Sequence, residues 1–333
     1  MNGPSNPKVV VVTGASSGVG RALVRTLAGR GAKLGLIARN KEALTATANE
    51  VYRLGGEALV LPLEVADAEA VERAAAAVEE RWGRIDVWVN NAMATVFAPV
   101  AQTTAEEYRR VMEVTYLGYV HGTLAALRRM SPRDEGTIIQ IGSALAYRSI
   151  PLQSAYCAAK AAVRGFTDSL RTELIHDNSG VRLCMLQLPA VNTPQAVRQR
   201  NKLPQQAQPM PPMFTPESVA DIIVWAVDHR PREMLVGLPT VQAVWGQKLA
   251  PALLDQYLAR KGFETQMGNE SNDQHGRDIL FQPLPGDPGA HGPYRARERG
   301  ADLQMRVRPR APAVAAAIGL GSIVALRLAG RRS

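Results

Sequence analysis

The stretch KVVVVTGASSGVGRALVRTLAGRG, residues 8–31, decides the fold of this chain of 333 residues. It opens with VVVVT, and a run of β-branched residues is typical of a strand buried on both faces in a parallel sheet. Three glycines follow, and the remainder is typical of a helix. A strand, a glycine-rich turn and a helix form a dinucleotide site, because the turn lets backbone approach the pyrophosphate and the helix N-terminus offers free N–H groups. This site is predicted to include Gly14, Ser16, Ser17, Gly18, Val19 and Gly20.

The alternation of strands and helices continues along the chain. Strand-like runs occur at 8–13, 33–38, 57–63, 85–90, 136–142 and 181–188. Helix-like stretches lie between them at 41–54, 67–82, 104–130 and 153–176. This order predicts an α/β fold with a doubly wound parallel sheet between two layers of helices. Ligands of such sheets bind at the carboxyl ends of the strands.

The end of the second predicted strand indicates which dinucleotide binds. An acidic residue there would accept a hydrogen bond from the 2′-hydroxyl of NAD, but the sequence has Ala38 followed by Arg39. The guanidinium of an arginine suits a 2′-phosphate, and Ser16 and Ser17 could add hydroxyl donors. We therefore predict that NADP(H) is preferred over NAD(H). The alternative for Arg39 is a solvated charge at a strand end.

A second informative stretch is SALAYRSIPLQSAYCAAK, residues 143–160. Residues four apart on a helix share a face, so Tyr156 and Lys160 are predicted to point into one cleft. A nearby ammonium group lowers the pKa of a phenol, which makes the phenol a proton donor and acceptor near neutral pH. Ser143 could donate a hydrogen bond to the oxygen being reduced. A half-buried tyrosine beside an exposed lysine is the alternative, but the position of the motif at the strand ends favours catalysis.

Together these motifs resemble the short-chain dehydrogenase/reductase family over residues 8–240. The matching motifs are TGASSGVG at 13–20, NNA at 90–92, Ser143, Tyr156-x-x-x-Lys160 and LPAVNT at 188–193. The resemblance implies a Rossmann-like, NAD(P)-dependent domain in which Tyr156 is the acid/base and Ser143 polarises the substrate oxygen. Lys160 would hold the nicotinamide ribose and lower the pKa of Tyr156. The resemblance also implies further cofactor contacts and a homodimer or homotetramer paired through the helices at 104–130 and 153–178. The further cofactor-binding residues that it implies are Glu64, Val65, Asn91, Ala92, Pro189, Val191 and Thr193.

Three positions depart from the family pattern. Thr115 stands where the family has an asparagine that supports a water-linked proton relay, and a threonine hydroxyl could still hold a water. Glu64 replaces an aspartate at the adenine, and Pro189-Ala190 replaces a proline–glycine pair. The leading hypothesis is an NADP(H)-dependent oxidoreductase for carbonyls or secondary alcohols. The alternative that Thr115 suggests is a non-catalytic NADP(H)-binding sensor or scaffold.

The segment between Thr193 and Thr215 is rich in Pro, Gln and Met and has no clear period. A long irregular loop beside an active site is often a lid. The apolar residues here and near the motifs predict either an adaptable pocket for a lipophilic alcohol or ketone or simple packing of the lid. Arg148 could instead meet an acidic substrate group. The apolar residues concerned are Met93, Val96, Leu145, Met210, Met213 and Phe214.

Composition and charge argue against a nucleic-acid partner and against a metal site. The net charge is +9, but residues 290–333 hold nine arginines against two acidic residues, which leaves about +2 for the rest. A basic nucleic-acid footprint on the folded body is therefore unsupported. Cys157 and Cys184 are predicted to be buried free thiols, which fits a reducing, cytoplasmic compartment. The sequence contains no motif of paired Cys or His for a metal.

The C-terminal part is predicted to be an extension of the catalytic domain, which we place at 1–262. Residues 240–262 are typical of one or two amphipathic helices, and residues 263–312 have the Pro, Gly and Arg content of a linker. Residues 313–333 form a short apolar segment with basic flanks, within an uncharged run at 311–326. Three readings stay open for it: a membrane anchor, an interfacial or partner-packing helix, and a disordered tail. A membrane adaptor built on this tail is a third hypothesis for function.

Overall fold

A computed structural model describes residues 8–273 and 276–299 of the chain. Its centre is a parallel sheet of seven strands, in the spatial order β7-β6-β5-β4-β1-β2-β3. The order reverses between β1 and β4, the position at which doubly wound sheets bind ligands. The strands are β1 (Val9–Thr13), β2 (Lys33–Ala38), β3 (Glu57–Pro62), β4 (Val87–Asn90), β5 (Gly136–Ser143), β6 (Val181–Leu188) and β7 (Glu233–Leu235).

Helices cover both faces of the sheet, which confirms the predicted three-layer α/β architecture. Along β1, Val10 and Val12 pack against α1, α2 and α8, whereas Val9 and Val11 belong to the core formed with α3 to α6. Every residue of β1 is buried, as the β-branched run predicts for a central strand. The helices are α1 (Gly18–Ala28), α2 (Lys41–Arg53), α3 (Ala68–Trp82), α4 (Ala105–Met112), α5 (Gly118–Met130), α6 (Ser154–His176), α7 (Gln195–Arg198), α8 (Pro216–His229), α9 (Leu238–Leu249) and α10 (Pro251–Lys261).

The helix predicted over 104–130 is continuous but changes its geometry in the middle. Thr104 caps its N-terminus in a capping box with Glu107, in which the Thr104 amide lies 2.8 Å from the Glu107 carboxylate. A π-helical turn, Glu113–Leu117, then separates α4 from α5. Such turns insert one residue into an α-helix and are frequent at functional sites. Sequence periodicity did not predict this insertion.

The described part of the predicted linker packs against the body. Leu280 is 1% exposed and Ala290 5% exposed, each within one of the two main apolar cores. The composition of this segment predicts a flexible chain, but these buried side chains and a series of backbone hydrogen bonds fix it in place. The short apolar segment at 313–333 lies outside the described residues.

The two cysteines are placed as the sequence predicts. Cys157 and Cys184 are both buried free thiols. Within residues 8–273 and 276–299, no helix has the length and apolar character needed to cross a bilayer.

A buried polar network joins β4, β5 and α5 behind the site. Asn90 is fully buried, accepts a hydrogen bond from Trp88 Nε1 at 2.9 Å, and contacts Gln140 Oε1 at 3.0 Å and Thr123 Oγ1 at 3.1 Å. Gly122 of α5 packs directly on this network, where an added Cβ would overlap Asn90 Oδ1 and lie 2.5 Å from Trp88 Nε1. The end of β4 is thereby held against the helix that carries the π-helical turn.

We expect Gly122→Ala to lower the free energy of unfolding by about 1–3 kcal/mol, because the new methyl group has no space in this close-packed layer. The measurement is urea denaturation of the full chain. Gly165→Ala on the exposed face of α6 is the matched control, since an added Cβ there has no atom within 4 Å, and it should be neutral or stabilise by about 0.5–1 kcal/mol. Equal effects of the two substitutions would contradict the predicted clash.

Candidate functional site

One cavity of about 630 Å³ lies at the carboxyl edge of the sheet and brings most of the predicted site residues together. Gly20 and Thr115 are predicted site residues outside its lining. The predicted residues that line it are Gly14, Ser16, Ser17, Gly18, Val19, Arg39, Glu64, Val65, Asn91, Ala92, Ser143, Tyr156, Lys160, Pro189, Val191 and Thr193. The cavity therefore extends from the glycine turn, past the tyrosine and lysine, to the predicted lid.

The glycines of the turn are required by conformation and by space. Gly14 has φ +68° and Gly18 has φ +55°, both in the left-handed region that favours glycine. A Cβ at Gly18 would lie 3.1 Å from the Thr193 side chain, and one at Gly20 would overlap the Gly14 carbonyl. Side chains at these positions would disturb the turn, so glycine keeps its backbone close to the cavity that Gly14 and Gly18 line, which fits the binding of a pyrophosphate.

The Thr13 hydroxyl fixes this turn to the end of β4. Its oxygen accepts hydrogen bonds from the amides of Asn91 at 2.9 Å and Ala92 at 3.0 Å. The Asn91 side chain in turn donates to the Thr13 carbonyl at 2.9 Å. Asn91 and Ala92, which the resemblance places at the adenosine ribose, therefore also hold the glycine turn in position.

Arg39 lies on the cavity wall and is already bonded to protein acceptors. Its guanidinium is 3.4 Å from the Glu64 carboxylate, which also forms an ion pair with Arg110. The same guanidinium donates to the backbone carbonyls of Ile279 and Phe281. Burial lowers the pKa of Arg39, and the neighbouring charge of Arg110 acts in the same direction. Arg39 is therefore a partly buried charge and not the solvated one that the sequence left as an alternative.

Ser143 and Tyr156 are adjacent, as the sequence predicts. The Ser143 amide donates to Gln187 Oε1 at 2.8 Å, and its hydroxyl accepts from the Leu145 amide at 3.1 Å. Burial raises the pKa of Tyr156 above its ordinary value, while a hydrogen bond with Ser143 opposes the rise. The phenol is therefore held in its protonated form, which can donate a proton. The prediction that Lys160 lowers the pKa of Tyr156 is wrong for this structure, because burial dominates and raises it.

Lys160 is fully enclosed and has a partner that sequence reasoning missed. Its ammonium donates to the Tyr119 hydroxyl at 2.9 Å and to the Ile141 carbonyl at 2.7 Å. The same ammonium lies 5.6 Å from the centroid of the Tyr156 ring. Burial lowers the pKa of Lys160 from 10.5 to about 7. Tyr119 could have been found from its spacing of four residues from Thr115, which places both on one helix face.

Thr115 lies in the π-helical turn and is fully buried. Its hydroxyl accepts from the Ala94 amide and donates to the Ala94 carbonyl, both at 2.9 Å. These two bonds tie the helix to the segment that follows β4. In the described contacts the Thr115 hydroxyl is therefore engaged by backbone, whereas the resemblance places a relay group at this position.

The loop after β6 carries the predicted nicotinamide contacts and a second residue that the sequence analysis missed. Between Val191 and Thr193, Asn192 is fully buried. Its side chain donates to the Gly292 carbonyl at 3.2 Å and to the Glu298 carboxylate at 2.7 Å. Gly292 lies 100 residues further along the chain, so no local sequence pattern indicates this contact.

The far end of the cavity is mostly apolar. Of the six apolar residues that the sequence predicts for the substrate pocket, three line this end of the cavity and three are buried beside it. Arg148 also lines the cavity, but its terminal nitrogens donate to Gln247 and Asp255, each at 2.6 Å. The lining residues are Met93, Leu145 and Met210, and the buried ones are Val96, Met213 and Phe214.

Metal ligands form no cluster in the part of the chain that the structure describes. Groups of three or more His, Cys, Asp or Glu with suitable spacing do not occur there.

The lowered pKa of Lys160 predicts a pH dependence of stability. Between about pH 7 and pH 10.5 the unfolded chain binds a proton at this lysine that the folded chain does not bind. The contribution of Lys160 to the free energy of unfolding should therefore rise with pH across this range, and be lost as the pH falls through 7. The measurement is urea denaturation of the wild type and of Lys160→Met from pH 6.5 to 9.5. As the pH rises, the free energy of unfolding of the wild type should increase relative to that of Lys160→Met. A constant or shrinking difference between the two would contradict the lowered pKa of Lys160.

Comparisons with known proteins agree with this fold. The sequence pattern of a family described as short chain dehydrogenase matches residues 8–204. An uncharacterised oxidoreductase of Bacillus subtilis, YxnA, is 31% identical over 276 residues, which cover 82% of this chain and 78% of that protein. A fatty acyl-CoA reductase of Acinetobacter baylyi is 28% identical over 239 residues, or 71% of this chain and 78% of the relative. The structure of an alcohol dehydrogenase from Thermococcus sibiricus, complexed with 5-hydroxy-NADP, superimposes with a TM-score of 0.60 and 30% identity, and covers 69% of this chain and 95% of that one.

Proposed function

Because the chain belongs to the short-chain dehydrogenase family and is an oxidoreductase acting on CH–OH or C=O groups, we propose that it interconverts a lipophilic carbonyl compound and its secondary alcohol with NADP(H). One observation carries the proposal. Ser143, Tyr156 and Lys160 line the same cavity as the glycine turn, so a dinucleotide on the turn and a substrate beside Tyr156 would share one cavity.

The residues of the chain divide the chemistry among them. When bound, the nicotinamide supplies or accepts the hydride. Tyr156 donates its phenolic proton to the substrate oxygen in the reductive direction, and the Ser143 hydroxyl polarises that oxygen. Lys160, held by Tyr119 and Ile141, stabilises the remaining phenolate when it carries its proton, and the negative charge that forms on Tyr156 favours this protonated state.

The cradle and its surroundings fit a dinucleotide. The N-terminus of α1 and the glycine turn would hold the pyrophosphate, with Asn91, Ala92, Glu64 and Val65 along the adenosine. The nicotinamide would lie against the loop that holds Pro189, Val191 and Thr193. The preference for NADP(H) rests on Arg39, because the end of β2 carries no acidic residue and a guanidinium favours a phosphate.

The proposed substrate class rests on the apolar end of the cavity. The side chains of Met93, Leu145 and Met210 face it, and the structure commits the terminal nitrogens of Arg148 to Gln247 and Asp255. These contacts favour the lipophilic substrate over the acidic one that the sequence left open. The names of the Thermococcus sibiricus and Acinetobacter baylyi proteins, an alcohol dehydrogenase and a fatty acyl-CoA reductase, are compatible with this class.

A second copy of the chain is the proposed partner. Leu117 and Leu124 are large apolar residues exposed on the helix pair that follows β4, and Ile175 of α6 is 70% exposed. Burial of these helix faces against a second copy would remove this apolar surface from water. Membrane association through the tail stays a prediction from sequence.

We expect Tyr156→Phe to lower kcat with a ketone substrate by about 100- to 10,000-fold, the range for loss of a general acid. The assay is NADPH oxidation with a panel of aliphatic, aromatic and steroid-like ketones, and turnover should favour the apolar members. Tyr147→Phe is the control, because the Tyr147 hydroxyl donates to Glu233 at 2.7 Å, and its turnover should persist. Loss of activity in both variants, or in neither, would overturn the assignment of Tyr156.

The cofactor preference gives a separate test. Arg39→Ala should raise the KM for NADPH by about tenfold or more and change the KM for NADH less, because only NADPH carries the 2′-phosphate. The same measurement on Arg53→Ala, which removes an exposed charge at the far end of α2, serves as the control. Equal losses with both cofactors would show that Arg39 has no role in the preference.

A further inference from the structure

Residues 278–292, here named the strap, cross the cavity above the glycine turn. Ile279, Pro283, Leu284 and Pro288 line the cavity from this side. The strap is anchored at each end by a side chain of its own: Leu280 lies 1% exposed in an apolar core, and Asp287 forms an ion pair with Arg21. A segment that the sequence predicts to be linker is thus a wall of the candidate site.

The first end of the strap is hydrogen-bonded to Arg39. The guanidinium donates to three successive carbonyls, those of Ile279, Leu280 and Phe281, with the last at 3.0 Å. Arg110 donates to the Leu280 carbonyl as well, at 3.0 Å. Three backbone dipoles therefore surround the positive group to which the proposed function assigns the 2′-phosphate. A phosphate is the stronger acceptor, because it adds the attraction between opposite charges and can accept two parallel hydrogen bonds from the guanidinium, whereas each carbonyl is neutral.

The second end of the strap is hydrogen-bonded to the glycine turn. The amide of Gly18, the first residue of α1, donates to the Gly289 carbonyl at 3.2 Å. The amide groups of the first helical turn have no partner within the helix and are the donors that bind anions. A strap carbonyl therefore also occupies a donor that the proposed function assigns to the pyrophosphate.

The middle of the strap is held independently of both ends. The Asn40 side chain donates to the carbonyls of Leu284 and Gly286 at 2.8 and 3.0 Å. The Glu42 carboxylate accepts from the Gly286 amide at 3.0 Å. These contacts at the N-terminus of α2 can persist while either end moves, so the two ends can be loosened separately.

From these contacts we infer that the strap is an internal competitor of the dinucleotide and a determinant of cofactor specificity. NADP(H) displaces strap carbonyls from both Arg39 and Gly18, whereas NAD(H) displaces only the carbonyl at Gly18. Competition at Arg39 therefore reduces the advantage that the 2′-phosphate confers on NADP(H). The inference rests on the cofactor assignment of the proposed function and adds to it the part of the chain that opposes binding.

The test compares variants at the two ends of the strap in the full chain. Leu280→Ala loosens the end at Arg39 and should lower the Kd for NADPH by about tenfold, while the Kd for NADH changes less than about twofold.

Asp287→Ala loosens the end at Gly18, where the Asp287 carboxylate also accepts from the Gly289 amide at 3.1 Å. This variant should lower both Kd values. Arg21 keeps Glu50 as a partner at 3.0 Å, so its charge stays paired. The control is Gln282→Ala, at an exposed position of the strap.

Nucleotide fluorescence titration measures these constants without turnover. Weaker binding of NADPH in Leu280→Ala, or equal changes for the two nucleotides, would overturn the competition at Arg39. Failure of the wild type and all variants to bind either nucleotide would instead overturn the proposed function on which the inference rests.

Hydrogen–deuterium exchange on the wild-type chain tests the same inference without any substitution. Saturating NADPH should raise amide exchange in peptides that cover the strap by several-fold more than saturating NADH does. Protection of the first part of the strap by NADPH would show that it clamps the cofactor, and would overturn the inference.

Discussion

The Thr13 hydroxyl joins the ends of the two strands between which the sheet order reverses. It accepts from the amides of Asn91 and Ala92, and so fixes the distance between the glycine turn after β1 and the small residues after β4. With this distance fixed, Gly14 has no space for a side chain, since a Cβ would lie 2.9 Å from the side-chain nitrogen of Asn91 and 3.0 Å from the Cα of Ala92. The cavity begins at this junction. The other functional groups are placed around it by the carboxyl ends of β2, β5 and β6 and by helix α6.

The parts of this arrangement that a sequence can predict are those with a local cause. The β-branched run before the glycines determines a buried strand, and the four-residue spacing of Tyr156 and Lys160 places both on one helix face. The structure adds that Lys160 is hydrogen-bonded to Tyr119 and Ile141, which come from two other elements. Those partners depend on how α5 and β5 pack against α6, and no spacing within the Tyr156 motif contains that information.

The strap could not be predicted, because its contacts are made largely by backbone. Proline and glycine in residues 283–292 predict irregular structure, and that part of the prediction agrees with the described conformation. The carbonyls that meet Arg39 and Gly18 leave no mark in the sequence, since every residue has one. Asn192 illustrates the same limit, because it is a loop residue that becomes fully buried through contacts with Gly292 and Glu298.

The predicted lid, residues 193–215, and the strap are joined by a group of ion pairs. Glu107 is 3% exposed and pairs with Lys202 at 2.7 Å and Arg200 at 3.2 Å. Arg200 also pairs with Asp278 at the start of the strap, at 2.8 Å. The acidic partners are buried and the basic ones are partly exposed, so desolvation offsets much of the attraction in these pairs. The two segments therefore share an electrostatic fixing point on α4.

The π-helical turn has a consequence for the angular positions of the residues on either side of it. Arg110 and Tyr119 are nine residues apart, and at about 100° per residue a regular α-helix would place them about 180° apart, on opposite sides. One inserted residue takes up about 100° of this rotation and leaves them about 80° apart. Both side chains can then face the sheet, where Arg110 meets Glu64 and the strap while Tyr119 meets Lys160. The extra residue thus lets one helix contribute to both the adenosine end and the catalytic end of the cavity.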